Sequence, residues 1–306
     1  MAETGNKGGV ESGNDPALAA LYAAPFQIIR PSSQTVPFVF ASPHSGRSYP
    51  KSFVTASRLA PLALRRSEDA FVDELFAGGV ALGAPMIAAR FPRAFVDVNR
   101  APSEIDAAMF DGPLPVAVDV PSARVAAGLG VIPRIVRDGA EIYRGRLSPR
   151  DAEARISHLY QPYHDALAAL VDETLARFGV AVVIDCHSMP SAAAIPDVVF
   201  GDRYGMAASP LLTRTAEIAF ESQGFSHARN APYAGGHTTQ IHGRRERSVH
   251  ALQIEMNRAL YLDEERIERG ARFEAIHARV TEALIRLLAI DPAILLNGRR
   301  HNLAAE

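Results

Sequence analysis

Apolar residues in this chain fall into short runs divided by Gly-, Pro- and Ser-rich breaks, and their spacing switches between the strand and helix periods. Phe38, Val39, Phe40 and Ala41 predict a strand that runs into the turn formers of SPHSG. A helix is expected from Ser67. Ser67 suits an N-cap, Glu68 and Asp69 fall in the first turn where the dipole favours acids, and Phe71, Val72, Leu75 and Phe76 recur at helical spacing. Gly78 and Gly79 are its expected stop. Further strands are expected at 85–89 and 94–98. Ile156, Leu159, Tyr160, Tyr163, Leu167, Leu170, Val171 and Leu175 predict a long helix over about 148–178, kinked or divided at Pro162 and closed by Gly179. The continuous apolar, mostly β-branched run at 180–184 is of the kind found in a sheet covered on both faces. Short strands at 198–200 and 249–256, a helix over 211–223 stopped by Gly224, and a charged amphipathic helix over 263–289 complete the pattern.

Strands alternating with helices predict an α/β protein: a three-layer α/β/α sandwich around a mixed, mostly parallel sheet. Residues 16–306 are expected to form one domain, after a polar, Gly-rich and disordered leader at 1–15, with order beginning in the apolar segment 17–24. The stretch 103–147 is rich in Pro and Gly with weak periodicity. It reads as an excursion from the core, part of which covers the site. No internal repeat is present. No GxGxxG follows a strand and no GxxxxGK[ST] occurs, which removes the main support for dinucleotide and P-loop readings.

Composition narrows the classes. Hydrophobic residues make up 48% of 306, enough to bury a large core and to exclude a wholly disordered chain. The net charge of −2 gives no basic surplus for nucleic acid. The single cysteine, Cys186, excludes an intrachain disulfide. No apolar run reaches the roughly 18 residues of a membrane span, and the N-terminal stretch lacks the apolar core of a signal peptide. A cytoplasmic protein is expected, with its oligomeric state open.

Ligands of open α/β sheets sit beyond the carboxyl ends of strands. Three of the expected strands run into His44, His187 and Glu255. Along a strand, Asp185 and His187 share a face while Cys186 points the other way, as a small buried hydrophobe would. Two histidines after apolar strands suggest a metal pair. A hydrolytic zinc needs a third protein ligand and one open position. Asp69 is the nearest carboxylate, with Glu68 and Asp73 as alternatives, and Asp69 and Asp73 would share a helix face four residues apart. Glu255 lies in an apolar run, where a carboxylate is either paired or raised in pKa, and either suits a general acid/base. Asn99 and Arg100, with Arg93, can clamp an anionic substrate. His237 and His242 sit in GGHTTQIHG, read as a mobile loop that touches substrate or stabilises the transition state.

Over about residues 37–262, the ordered blocks PHSGRSYP, EDAFVDELF, RFPRAFVDVNRAP, QPYHDAL, VVIDCHSMPS, PDVVFGDRYG, GGHTTQIHG and HALQIEMNRALY resemble the N-formylglutamate amidohydrolase family. The resemblance implies a zinc-carboxypeptidase-like fold with a phosphorylase/hydrolase-like core. It implies hydrolysis of N-formyl-L-glutamate to formate and L-glutamate in histidine degradation, and one divalent metal ion, zinc. By motif, His44, Asp69 and His187 match the metal ligands, Glu255 the general base, and Asn99 with Arg100 the pair that holds a substrate carboxylate. Where many family members carry Asp-Thr-Asp, this chain has Ser67, Glu68 and Asp69, and the GGY-type loop reads GGH at His237. The partner implied is a small anionic acyl-amino acid. Another N-acyl amino acid or small peptide, or dicarboxylate binding without turnover, are the alternatives.

Overall fold

The computed structural model describes residues 15–119, 122–136, 139–192 and 194–296, so the expected leader lies outside the described residues except for Asp15. Seven strands form one sheet: β1 (Phe26–Ile29), β2 (Phe38–Ser42), β3 (Met86–Ala89), β4 (Ala181–Met189), β5 (Val198–Gly201), β6 (His227–Arg229) and β7 (Val249–Asn257). Their order is β1-β3-β2-β4-β7-β5-β6. Strands β3, β2, β4 and β7 run parallel to one another, while β1 is antiparallel to β3 and β5 antiparallel to β7. The sheet is therefore mixed and mostly parallel, as expected.

Strands β2, β4 and β7 are buried at every position. Their alternate residues feed two apolar layers. On one face, Val39, Val183 and Ala251 pack with Leu167 and Leu170 of the helix Gln161–Phe178 and with Ile105, Phe110 and Ile132 of the 103–147 excursion. On the other, Phe40, Ile184, Cys186 and Ile254 pack with Leu212 of the helix Pro210–Glu221 and with Val280 and Leu284 of the helix Phe273–Leu288. Excluding so much apolar surface from water is the main force holding the three layers together. Among the described residues, no helix is long and apolar enough to cross a membrane.

Several expected elements are corrected. The helix from Ser67 does not form. Residues 67–70 make an irregular turn, and only Val72–Leu75 is helical. Tertiary contacts override the capping signal: the Asp69 N–H donates to the His44 carbonyl (3.0 Å), and Tyr49 and Arg65 hold the Glu68 carboxylate. Asp69 and Asp73 therefore share no helix face. Phe71 takes a left-handed backbone conformation (φ 62°), and the guanidiniums of Arg47 and Arg269 lie 5.0 and 5.7 Å from its ring centroid. Gly78 and Gly79 open the short helix Gly78–Ala81 instead of ending one, and a Cβ on Gly79 would meet the Phe40 ring at 2.6 Å.

Residues 94–98 are not a strand. The Phe95 and Val96 N–H groups donate to the Pro92 carbonyl and that of Asp97 to Val131. The apolar side chains are buried by this compact turn without a ladder. The long helix divides at a π-helical turn, Ile156–Tyr160, which ends two residues before Pro162, with Ser148 capping its start and Gly179 (φ 73°) closing its end. The C-terminal helix begins only at Phe273, after a small two-stranded hairpin. Strands β1 and β6 carry no expectation from the sequence.

The turn after β2 depends on Gly46, where a Cβ would run into the Phe91 carbonyl oxygen and the Arg90 backbone. These are backbone atoms, not the ends of flexible side chains, so they have little room to yield. Gly46→Ala should lower the unfolding free energy by about 1–3 kcal/mol, read as a lower urea midpoint with an unchanged slope.

Candidate metal centre and cleft

The parallel register of β4 and β7 sets the site. His187 is the Cα partner of Glu255, and Asp185 that of Gln253. Pleating turns all four toward the face carrying Val183 and Ala251. His44 follows β2, the next strand over. The turn at 67–70 brings Asp69 against both histidines. Asp69 Oδ2 lies 3.2 Å from His44 Nδ1 and 3.0 Å from His187 Nδ1. All three side chains are almost wholly buried, and their ligand atoms lie within 4.8 Å of one another. Two imidazole nitrogens and one carboxylate oxygen converging in this way are a donor set that fits a divalent transition-metal ion such as zinc.

Of the three acids considered, only Asp69 reaches the histidines. Glu68 is paired with Arg65, and Asp73 with Arg47 at the surface. The second Asp69 oxygen, Oδ1, accepts from Ser188 Oγ (3.1 Å) and from Arg258 Nη2 (2.9 Å). Burial works against its charge, yet the histidines and Arg258 outweigh burial and hold Asp69 well below the usual carboxylate range.

Each histidine also has a carboxylate at its far nitrogen. His44 Nε2 lies 2.7 Å from Asp97 Oδ1, and His187 Nε2 lies 3.0 Å from Asp185 Oδ2. For Asp97 the cost of burial is again overcome, here by Arg93, Arg100 and His44, and its pKa is depressed. For His187 burial opposes protonation, but Asp185 and Asp69 raise its pKa well above the ordinary imidazole value.

His44 and His187 open onto a cleft of about 510 Å³ whose lining also includes Glu255, Arg93, Arg100 and Arg258. Leu129, Ile135 and Val136 of the 103–147 stretch form part of its wall. Glu255 accepts from Gln253 Nε2 (2.8 Å). Desolvation pushes its pKa up to about 7, His187 pulling against the rise and Asp69 adding to it. Arg93 Nε donates to Asp97 Oδ2 (3.0 Å). Arg100 donates to the Leu129 and Asn99 carbonyls and places Nη2 3.8 Å from Asp97. Asn99 is more committed: Nδ2 reaches Asp185 and His187, and Oδ1 accepts from the Thr238 N–H.

The 235–243 stretch departs from expectation. It contains a short helix, His237–His242, not an irregular loop. Gly235 and Gly236 line the cleft, whereas the two imidazoles do not. The His237 ring packs edge-on against His164 (5.7 Å), and His242 is buried. Gly236 sits so tightly on the Asn99 amide that it has no room for a Cβ.

Sequence reasoning missed Asp97, Arg258 and Gln253 as site members and gave Asp185 no role. Parity with His187 could have flagged Asp185. Asp97 carried no signal, because its surroundings read as a strand.

A sequence model of the family described as N-formylglutamate amidohydrolase matches residues 36–262. The N-formylglutamate deformylase of Pseudomonas aeruginosa is 31% identical over 266 residues, covering 83% of this chain and 93% of that protein. The protein of the same description from Pseudomonas putida is 26% identical over 242 residues, covering 75% and 83%. The crystal structure of N-formylglutamate amidohydrolase from Ralstonia eutropha JMP134 aligns with a TM-score of 0.82 at 34% identity, over 87% of this chain and 97% of that one. With these likenesses spanning the strands, the turn and the cleft just described, the chain belongs to the N-formylglutamate amidohydrolase family.

Proposed function

We propose that the protein is a metal-dependent amidohydrolase that cleaves the N-formyl amide of N-formyl-L-glutamate to formate and L-glutamate. The observation that carries this reading is one cleft bordered by His44 and His187 of the His44–Asp69–His187 cluster, a buried glutamate and five arginines. The relatives named above support the choice of substrate. A divalent ion held by His44, Asp69 and His187, zinc by the nature of the donors, would supply Lewis acidity toward the formyl oxygen and acidify a water.

The remaining work falls to side chains. Glu255 as carboxylate takes a proton from the attacking water while the water oxygen bonds to the formyl carbon. As the carbon–nitrogen bond breaks, Glu255 returns that proton to the leaving amine. Its raised pKa suits both transfers at neutral pH. Arg100 and Arg93 bind the substrate carboxylates and so fix the distance from the formyl carbon to Glu255. Asn99, its amide already engaged, holds the His237–His242 helix against the cleft and shapes the wall the substrate meets.

Five measurements test this. Metal analysis should return about one divalent ion per chain, and a chelator should stop formate release until zinc is restored. In a panel of formyl-, acetyl- and succinyl-glutamate, the formyl substrate should be preferred; a clear preference for another acyl group would replace the substrate assignment. Glu255→Gln should keep its metal while turnover falls about 10²–10⁴-fold. Only the carboxylate form can accept a proton, so wild-type kcat/KM should fall as the pH drops through the raised Glu255 pKa, and Glu255→Gln should lack that limb. Arg100→Ala should act chiefly on KM.

A further inference from the structure

We propose that Arg124 is a specificity-determining residue: it forms the outer arm of the substrate clamp and selects acyl-amino acids that carry a second carboxylate on the side chain. The proposal rests on reading the cleft as the site of N-formyl-L-glutamate hydrolysis.

Five arginines line the cleft, and they differ in what already holds them. Arg258 is bound to Asp69 and Ser188, Arg93 to Asp97, and Arg100 to two backbone carbonyls with Asp97 at 3.8 Å. Of the five, only the Arg66 and Arg124 guanidiniums have no hydrogen-bond or ion-pair partner among the described residues.

Arg124 stands on the short helix Ala123–Ala126 of the 103–147 excursion, and that helix is fixed in place. Ser122 Oγ accepts from the Val125 N–H and donates to Glu104 Oε1 (3.0 Å). The Leu129 N–H donates to the Arg124 carbonyl (2.8 Å), and the Leu129 carbonyl accepts from Arg100 Nε (3.0 Å). One residue therefore ties the backbone of Arg124 to the side chain of Arg100. The two cations also repel. Burial works against the Arg100 charge, Asp97 and Glu104 favour it, and Arg93 and Arg124 oppose it. Both acids are shared: Asp97 with Arg93, and Glu104 with Ser122 and the Ala101 N–H. A bound anion would relieve this local excess of positive charge.

Depth assigns the two carboxylates of the substrate. The α-carboxylate sits on the carbon that bears the amide nitrogen, whereas the γ-carboxylate stands off by the side-chain methylenes. Arg93 lies near enough to Glu255 for their charges to interact, and the Arg100 side chain is only 11% exposed. Arg124 lines the same cleft but is exposed. The carboxylate beside the scissile bond thus falls to Arg93 and Arg100, and the distal one to Arg124. Arg66 belongs to a different part of the wall, where its carbonyl accepts from Arg258 Nη1 (3.3 Å).

The test compares N-formyl-L-glutamate with N-formyl-L-glutamine, which has the same shape with an amide in place of the γ-carboxylate. The ratio of kcat/KM for the two is measured in wild type, Arg124→Gln, Arg124→Lys and Arg66→Gln. In Arg124→Gln the ratio should fall about fivefold or more, through a raised KM for the glutamate substrate. Arg124→Lys keeps the charge without the two-pronged geometry and should recover part of the loss. A ratio within about twofold of wild type in Arg124→Gln, an equal fall in Arg66→Gln, or a wild type that cleaves both substrates equally well would overturn the proposal. Should Arg124→Gln fail to fold, added salt replaces it: screening should raise KM for the glutamate substrate more than for the glutamine one, and equal responses would count against Arg124. Wild type that cleaves neither substrate removes the proposed function. Arg124 is then tested by calorimetric binding of L-glutamate and L-glutamine, where a preference for glutamate that Arg124→Gln abolishes supports its role and the absence of one overturns it.

Discussion

A single buried oxygen, Asp69 Oδ2, draws together stretches of chain that lie far apart in sequence, and the site depends on that atom staying charged. Ionised groups in an apolar interior are destabilising unless they are matched. Here the matching is extensive. Ser188 and Arg258 hold the opposite oxygen of Asp69, two imidazoles approach from the front, and each imidazole is backed by its own aspartate. Arg93 and Arg100 complete the neutralisation at Asp97. Removing one partner would strand others, so these charges are best regarded as one network.

The scaffold makes such a network possible by keeping its strands still. The central strands are covered by helices on both faces, and side chains at their carboxyl ends inherit that rigidity. The turn carrying Asp69 lies outside the sheet and is stiffened differently. A bulky residue at positive φ, Phe71, lies just beyond it with the guanidiniums of Arg47 and Arg269 over its ring. Strain of this kind persists only where neighbours enforce it.

His44, His187 and Glu255 were legible in the sequence because a strand declares its direction and its parity. Once 180–184 reads as a buried strand, the polar residues that follow must sit at its end and on known faces. Asp69 was legible only as one acid among three. Its selection depends on a turn fixed by the His44 carbonyl, a contact 25 residues away that no local pattern encodes. Asp97 was hidden for a related reason: Phe95, Val96 and Val98 look like a strand, but they are buried by a turn pinned at Pro92. GGHTTQIHG misled through its glycines, which here permit close packing against Asn99 and Arg203, not looseness.

The place of Cys186 next to His187 has a further consequence. The thiol lies in the opposite apolar layer, where burial pushes its pKa well above that of a free cysteine. Only the alternation of the strand separates a soft sulfur from the imidazole beside it. Slipping β4 by one residue against its neighbours would exchange the two, seating a thiol in the cavity and sending an imidazole into hydrocarbon. The nine residues of β4 that pair with β7 therefore decide which element of the periodic table the protein offers to an ion: nitrogen in the native alignment, sulfur one notch away.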